Sequence, residues 1–198
     1  MNIRESIEHT LQCESDIIAE LKRTVPEEQI EKVIDVFMNC KGKVVLTGCG
    51  TSGIAAQKIA HTLNCVNCPS LFLSPANALH GGMGVVQKGD ILVLLSKGGH
   101  TSELNQMIEP CRERGAYLMA VTENEDSYMA KECDLVLKIR VNKEPDEYNV
   151  LATGSILATL SIFDSIAIVI SHLKGFSQKG FLKIHPGGDV GKRLGEME

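Results

Sequence analysis

Five short apolar runs, each of strand length and none alternating with polar residues, constrain this 198-residue chain more than any other feature. They are KVVLT at 43–47, SLFL at 70–73, ILVLLS at 91–96, AYLMAVT at 116–122 and DLVLKIRV at 134–141. A strand that is apolar on both faces must be covered on both. Helical segments fall between most of the runs, notably at 52–64 and 101–114. Strand and helix in alternation imply an α/β chain in three layers, with a parallel sheet between helices. Upstream, Ile3, Ile7, Leu11, Ile17, Ile18 and Leu21 recur at roughly helical spacing. Thr24-Val25-Pro26-Glu27-Glu28 then reads as a second helix start, with Pro in its first turn and acids favoured there by the dipole. That helix should run to about Cys40, so a helical pair over 1–40 precedes the first strand. A long apolar helix over about 153–173 follows the last strand. The tail, 175–198, reads as a loop with a short final helix. There is no repeat, low-complexity tract or linker, which predicts one domain over 1–198.

Composition removes several classes of function. The net charge is −5, with no clustered basic stripe, so nucleic acid is a poor partner. Trp is absent and Tyr and Phe number three and five, too few for stacking platforms. No run of about 18 apolar residues is present, so no membrane span is expected. The first residues, MNIRESIEHT, carry no apolar signal core, which predicts a cytoplasmic chain. Seven cysteines without an export signal read as reduced thiols. Cys65 and Cys68 have metal-ligand spacing, but no second pair follows them, and no metal site is expected.

In a parallel sheet of this kind ligands sit at the carboxyl ends of the strands. Three strand ends here open into small, polar loops: GCGTSG at 48–53, SKGGHTSE at 96–103 and TENEDS at 122–127. These loops should converge on one edge. The first has the G-x-G-x-x-G spacing of a dinucleotide site, which also wants an acid about 20 residues on for the ribose hydroxyls. No Asp, Glu or Arg lies between Val36 and Gly89, so that anchor is missing for NAD and NADP alike. A tight strand-to-helix turn that needs glycine for its backbone explains the same spacing. What remains is a helix N-terminus at Gly50 with free N–H groups, plus the Thr51 and Ser52 hydroxyls, an anion site suited to one phosphate. Ser96, Lys97 and Thr101 offer the same chemistry in the second loop. Neither loop contains the Walker A pattern, so a nucleoside triphosphate is not expected.

Together GCGTSG, SPANALHGGMGVV, LLSKGGHTSEL, AVTENEDSYMAKECDLVLKI and KIHPGGDVGKRL resemble a sugar isomerase (SIS) domain, and within it the arabinose 5-phosphate isomerase branch of Kdo and capsule biosynthesis. ALHG followed much later by HPGG is the most specific part of the match. The resemblance runs from about residue 40 to 195. It implies a five-stranded parallel sheet of flavodoxin-like order and interconversion of ribulose 5-phosphate and arabinose 5-phosphate without a cofactor. It also implies a homotetramer whose active sites are completed by neighbouring subunits, and segments 1–40 and 175–198 are expected to pack on the domain or on those subunits. A Kdo nucleotide is a conceivable downstream ligand. The family's catalytic positions fall on His80, Glu103, Glu144 and His185, and its phosphate-binding positions near Ser52 and over Ser96 to Thr101. Aldose–ketose isomerisation asks for such groups independently, because a proton alpha to a carbonyl must be removed and returned to the next carbon. Glu144 is expected as the base, His185 as the imidazole at the sugar, His80 as a second acid or base and Glu103 as an orienting group. Taken alone, a Glu at a helix start can simply favour the dipole, and a lone His is more often structural.

The departures are as informative as the match. The family keeps Lys where this chain has Thr51, and its S-x-S-G-E-[ST] loop reads Ser96-Lys97-Gly98-Gly99-His100-Thr101 here. Lys97 is expected to return the missing charge from the neighbouring loop. The Ser/Thr-rich start of the last long helix is thinned to Leu151-Ala152-Thr153-Gly154-Ser155. Many members continue into paired CBS regulatory domains, whereas this sequence stops soon after HPGG, so such regulation is expected to be absent. Two other readings stand beside the isomerase. One is a non-catalytic sugar-phosphate or sugar-nucleotide sensor on the same domain. The other is a nucleotide-dependent oxidoreductase, disfavoured by the missing acid.

Overall fold

The computed structural model describes residues 2–196. Its sheet is built from β1 (Val44–Gly48), β2 (Ser70–Phe72), β3 (Ile91–Leu95), β4 (Tyr117–Thr122) and β5 (Leu135–Lys138). The strands lie in the order β2-β1-β3-β4-β5, and every pair is parallel. Alternate residues feed two cores. Val44, Leu46, Ile91, Val93, Leu95, Met119 and Val121 face one side, with α1 (Ile3–Thr24), α2 (Glu27–Met38), α3 (Gly50–Cys65) and α7 (Gly154–Leu173). Val45, Leu92, Leu94, Leu118 and Ala120 face the other, with α4 (Pro75–Leu79), α5 (Ser102–Glu113) and α6 (Tyr128–Glu132). Phe37 and Phe163 are the largest fully buried side chains of the first core, each contributing roughly 1.5–3 kcal/mol by its removal from water.

The expected elements form, with four adjustments. Pro26 caps α2 rather than entering its first turn, and Thr24 closes α1. Strand β5 is half the length of its apolar run: after Ile139 N–H donates to the Thr122 carbonyl, the chain leaves the sheet edge. Two short helices, α4 and α6, occupy stretches with no helical period. Pro75 presets the first turn of α4, and the Ser127 hydroxyl accepts from Ala130 N–H to cap α6. The tail forms two helices instead of a loop with one: α8 (Gln178–Ile184), capped by Ser177, and α9 (Gly188–Gly195). These two pack mainly on each other rather than on the sheet layers.

Helix α7 has the length and composition to cross a membrane, with a mean hydropathy of 1.9 over its apolar window, contrary to the expectation of no such segment. In the fold it lies against α1 and α3. It buries Ala158, Ile162, Phe163, Ile166, Ala167 and Ile170 there, and its Asp164 pairs with Lys58 of α3. Helix α1 does the opposite. Only its C-terminal half is covered, and Ile3, Ile7 and Leu11 project into solvent.

At the foot of the sheet Asp90 ties β3 to β1. Its carboxylate accepts from Lys43 N–H at 2.9 Å, from the Lys43 ammonium at 2.6 Å and from Gln87 N–H at 2.8 Å. Burial pushes the carboxyl up, but these donors outweigh it and hold its pKa below the ordinary range. A depressed carboxylate contributes stability above its unfolded pKa and loses it as pH falls through the folded one. Asp90→Asn should therefore cost about 1–3 kcal/mol at neutral pH. Urea denaturation should show that deficit shrinking below the ordinary aspartate range, as the parent carboxyl protonates.

Candidate active site

The strand order reverses between β1 and β3, so the loops leaving their carboxyl ends diverge and open a crevice. On the β1 side, Gly48 and Gly53 let the strand end and the start of α3 approach closely. A Cβ on Gly53 would stand 2.6 Å from the Gly48 carbonyl oxygen. Gly50, between them, has φ of +55°, in the left-handed region that favours glycine. The three glycines are therefore explained by the turn itself. Its Thr51 and Ser52 line a cleft with Ser96 and Lys97 after β3, Thr122 after β4, Ile139 after β5, and Ser155 and Thr159 of α7.

Hydrogen bonds weld the loops together. Thr122 Oγ1 and Glu123 N–H both donate to the Lys97 carbonyl, at 2.8 and 2.9 Å, and Asn124 donates to the Gly98 carbonyl at 3.3 Å. Within the β3 loop the Ser96 and Thr101 hydroxyls lie 2.8 Å apart, and Gly99 N–H donates to Ser96 Oγ at 3.2 Å. The predicted convergence of the three polar loops is what the structure shows.

Glu144, in the segment between β5 and α7, adjoins the cleft through two of the residues that line it, Lys97 and Ser155. Its side chain is 1% exposed. The Lys97 ammonium donates to Oε1 at 2.8 Å and Ser155 N–H to Oε2 at 3.1 Å. The segment is wound to hold this carboxylate in place. Glu144 N–H donates to Asn149 Oδ1 at 2.6 Å, and Asp146 accepts from the N–H groups of Tyr148, Val150 and Leu151. Burial pushes the Glu144 carboxyl up, but the Lys97 ammonium and the Ser155 donors prevail and keep its pKa below the ordinary glutamate range.

The predicted residues separate into groups. Thr51, Ser52, Ser96 and Lys97 line the cleft, with Glu144 joined to it through Lys97 and Thr101 through Ser96. Gly50 and Glu103 line a second depression across the glycine turn, shared with Ser74, Pro75 and Ala76 at the start of α4. Glu103 is exposed in the first turn of α5, where its carboxylate accepts from Ser102 Oγ at 2.9 Å. His80 is exposed at the end of α4. His185 ends α8 and stacks on Phe181 with ring centroids 5.5 Å apart. The tail thus holds His185 on its own aromatic neighbour. Ser155, Thr159 and Asn149 are site residues that the sequence reading passed over. The thinned Ser/Thr start of α7 was the signal for the first.

The SIS domain model matches residues 37–169. The chain belongs to the SIS domain family. It is 35% identical over 189 residues to the arabinose 5-phosphate isomerase KpsF of Escherichia coli O6:H1, covering 96% of this chain and 58% of that protein. It is 34% identical to arabinose 5-phosphate isomerase KdsD of Pseudomonas aeruginosa, again over 96% of this chain and 58% of the relative. The chain therefore spans under three fifths of these relatives. Among solved structures, an E. coli CFT073 protein in complex with arabinose 5-phosphate superposes with a TM-score of 0.90 at 33% identity, covering 94% of this chain and all of that one. A Listeria monocytogenes protein, assigned as a candidate sugar-phosphate isomerase, superposes at 0.92 with 42% identity over 94% of this chain and 100% of its own.

Replacing the cation leaves Glu144 buried with no ammonium. In Lys97→Met the carboxyl pKa should rise, because the ammonium is lost while burial persists and only the Ser155 donors still oppose it. A 13C-detected titration of the Glu144 carboxyl, set against the parent protein, measures the rise.

Proposed function

We propose that this chain is a phosphosugar aldose–ketose isomerase, interconverting D-ribulose 5-phosphate and D-arabinose 5-phosphate for Kdo or capsule biosynthesis in the cytoplasm. The observation that carries the reading is one cleft and its partner: hydroxyls and a helix N-terminus suited to a phosphate, and a lysine paired with a buried, ionised carboxylate. The isomerase relatives and the neighbour solved with arabinose 5-phosphate point the same way. Ser52, Thr51, Ser96, Lys97 and Thr101 take the phosphate. Glu144 removes the C2 proton of the aldose and returns it to C1. One hydroxyl proton passes from O2 to O1 through an imidazole, so substrate and product are isomers and no redox cofactor is required. His185 supplies that imidazole, with His80 as a second acid or base and Glu103 as its orienting partner.

His185 is bound up in a tail that packs mainly on itself, and α1 presents Ile3, Ile7 and Leu11 to solvent. Both features support a homotetramer in which His185 of one subunit serves the cleft of another, the whole chain acting as one SIS domain.

Incubation with ribulose 5-phosphate alone, followed by 13C NMR, should yield arabinose 5-phosphate. Glu144→Gln should lower kcat by about 10²–10⁴-fold, as loss of a general base does, with the circular dichroism spectrum unchanged. Mixing inactive Glu144→Gln and His185→Ala subunits should restore turnover, since some mixed sites then hold both groups. A folded protein that binds the sugar phosphate without converting it would instead be a sensor.

A further inference from the structure

The two charged partners in the cleft differ in mobility. Glu144 is buried and fixed by its Asn149 and Asp146 segment, whereas the Lys97 side chain is 38% exposed on a flexible four-carbon stem. The ammonium leans onto Glu144 from a loop whose remaining polar groups, Ser96 and Thr101, are turned towards each other. Thr51 and Ser52 face it across the cleft. No Lys or Arg other than Lys97 lines that cleft among the described residues. A phosphate entering it carries close to two negative charges at neutral pH. It must then either face the Glu144 carboxylate directly or take the cation from it.

We propose, building on the isomerase reading, that the Lys97–Glu144 pair is a latch opened by the substrate's own phosphate: Lys97 leaves Oε1 for a phosphate oxygen, and the carboxylate so released is the base. Until then Glu144 is stabilised as a carboxylate by its ammonium partner and is a poor proton acceptor. Once Lys97 has swung away, the carboxylate stays buried with Ser155 N–H donating to it but no ammonium beside it, and its proton affinity rises. It then accepts the C2 proton as the C2 electron pair forms the enediol double bond, and gives that proton back to C1. The phosphate thus contributes to rate as well as to binding, which selects phosphorylated sugars over free ones.

Inorganic phosphate is the probe, and turnover is not needed to read the result. Phosphate is titrated into the whole protein while the 13C signal of the Glu144 carboxyl, assigned by its absence in Glu144→Gln, is followed. The signal should shift with the same saturation as phosphate binding measured by calorimetry. Lys97→Met should weaken phosphate at least about tenfold, the value of a charge-assisted contact, and abolish the response, while Lys97→Arg retains both. Glu144→Gln should bind phosphate several-fold more tightly, because the competitor for the ammonium is gone; a merely structural ion pair would give weaker or unchanged binding. Phosphate bound without any shift at Glu144, or no tighter in Glu144→Gln, overturns the latch. A protein that isomerises ribulose 5-phosphate without that shift keeps the isomerase reading and loses the latch. One that shows the shift but no turnover keeps the latch as a phosphate response and loses the isomerase.

Discussion

A parallel sheet with both faces apolar has to be sandwiched, and that constraint organises everything else in this molecule. Each strand must return through a crossover helix to start again at the same end. All five strands therefore finish on one edge, and every loop that leaves them is delivered there. The reversal of order between β1 and β3 opens a gap at that edge. The residues that fill it, Ser52, Ser96, Thr122 and Ser155, come from four separate parts of the chain. No local signal links them, yet the topology brings them together.

The same constraint explains which parts were legible in the sequence. Continuous apolar runs mark buried strands, and all five fall within one to three residues of their observed ends. The polar loops could be placed because strand ends share an edge, and the missing acid before Gly89 kept GCGTSG from being read as a nucleotide site. Helices of five residues, α4 and α6, carry no period to detect. They exist because Pro75 and Ser127 stabilise a single turn against the second core. The Lys97–Glu144 contact was out of reach for another reason. It spans 47 residues, and it depends on how far the segment after β5 leans back over the cleft. Lys97 was expected to face the substrate, and Glu144 to act as a base; that each holds the other in the resting protein is information only the fold contains.

Surface and site are tied in the same way. The faces left apolar by the fold are the projecting half of α1 and the outer side of α7, where Ile168 and Leu173 are exposed. A 22-residue helix covered only at its C-terminal end gains little from its own propensity. Its Asn2 capping box and the Arg4–Glu8 pair add local support, but the Ile3, Ile7 and Leu11 stripe gains most from a partner of similar character. In the proposed tetramer a second copy would provide such a surface without any new sequence, and with it a route for the self-packed tail to carry His185 to a cleft.

Charge is the remaining problem for a phosphate in this cleft. The chain has a net charge of −5, and the carboxylate paired with the cleft's lysine is buried, where it cannot be screened by salt as a surface charge is. A dianion placed beside it without a cation would be repelled over a few ångströms in a medium that weakens charge poorly. Hydroxyls and helix N–H groups offset part of this, as dipoles do, but they cannot neutralise two like-charged groups at once. In the proposed latch, where Thr51 supplies only a hydroxyl, a single mobile ammonium would serve both anions in turn. An ion pair whose lysine is half-exposed and whose glutamate is immobile meets that requirement, because its anionic half stays where chemistry needs it while its cationic half is free to move.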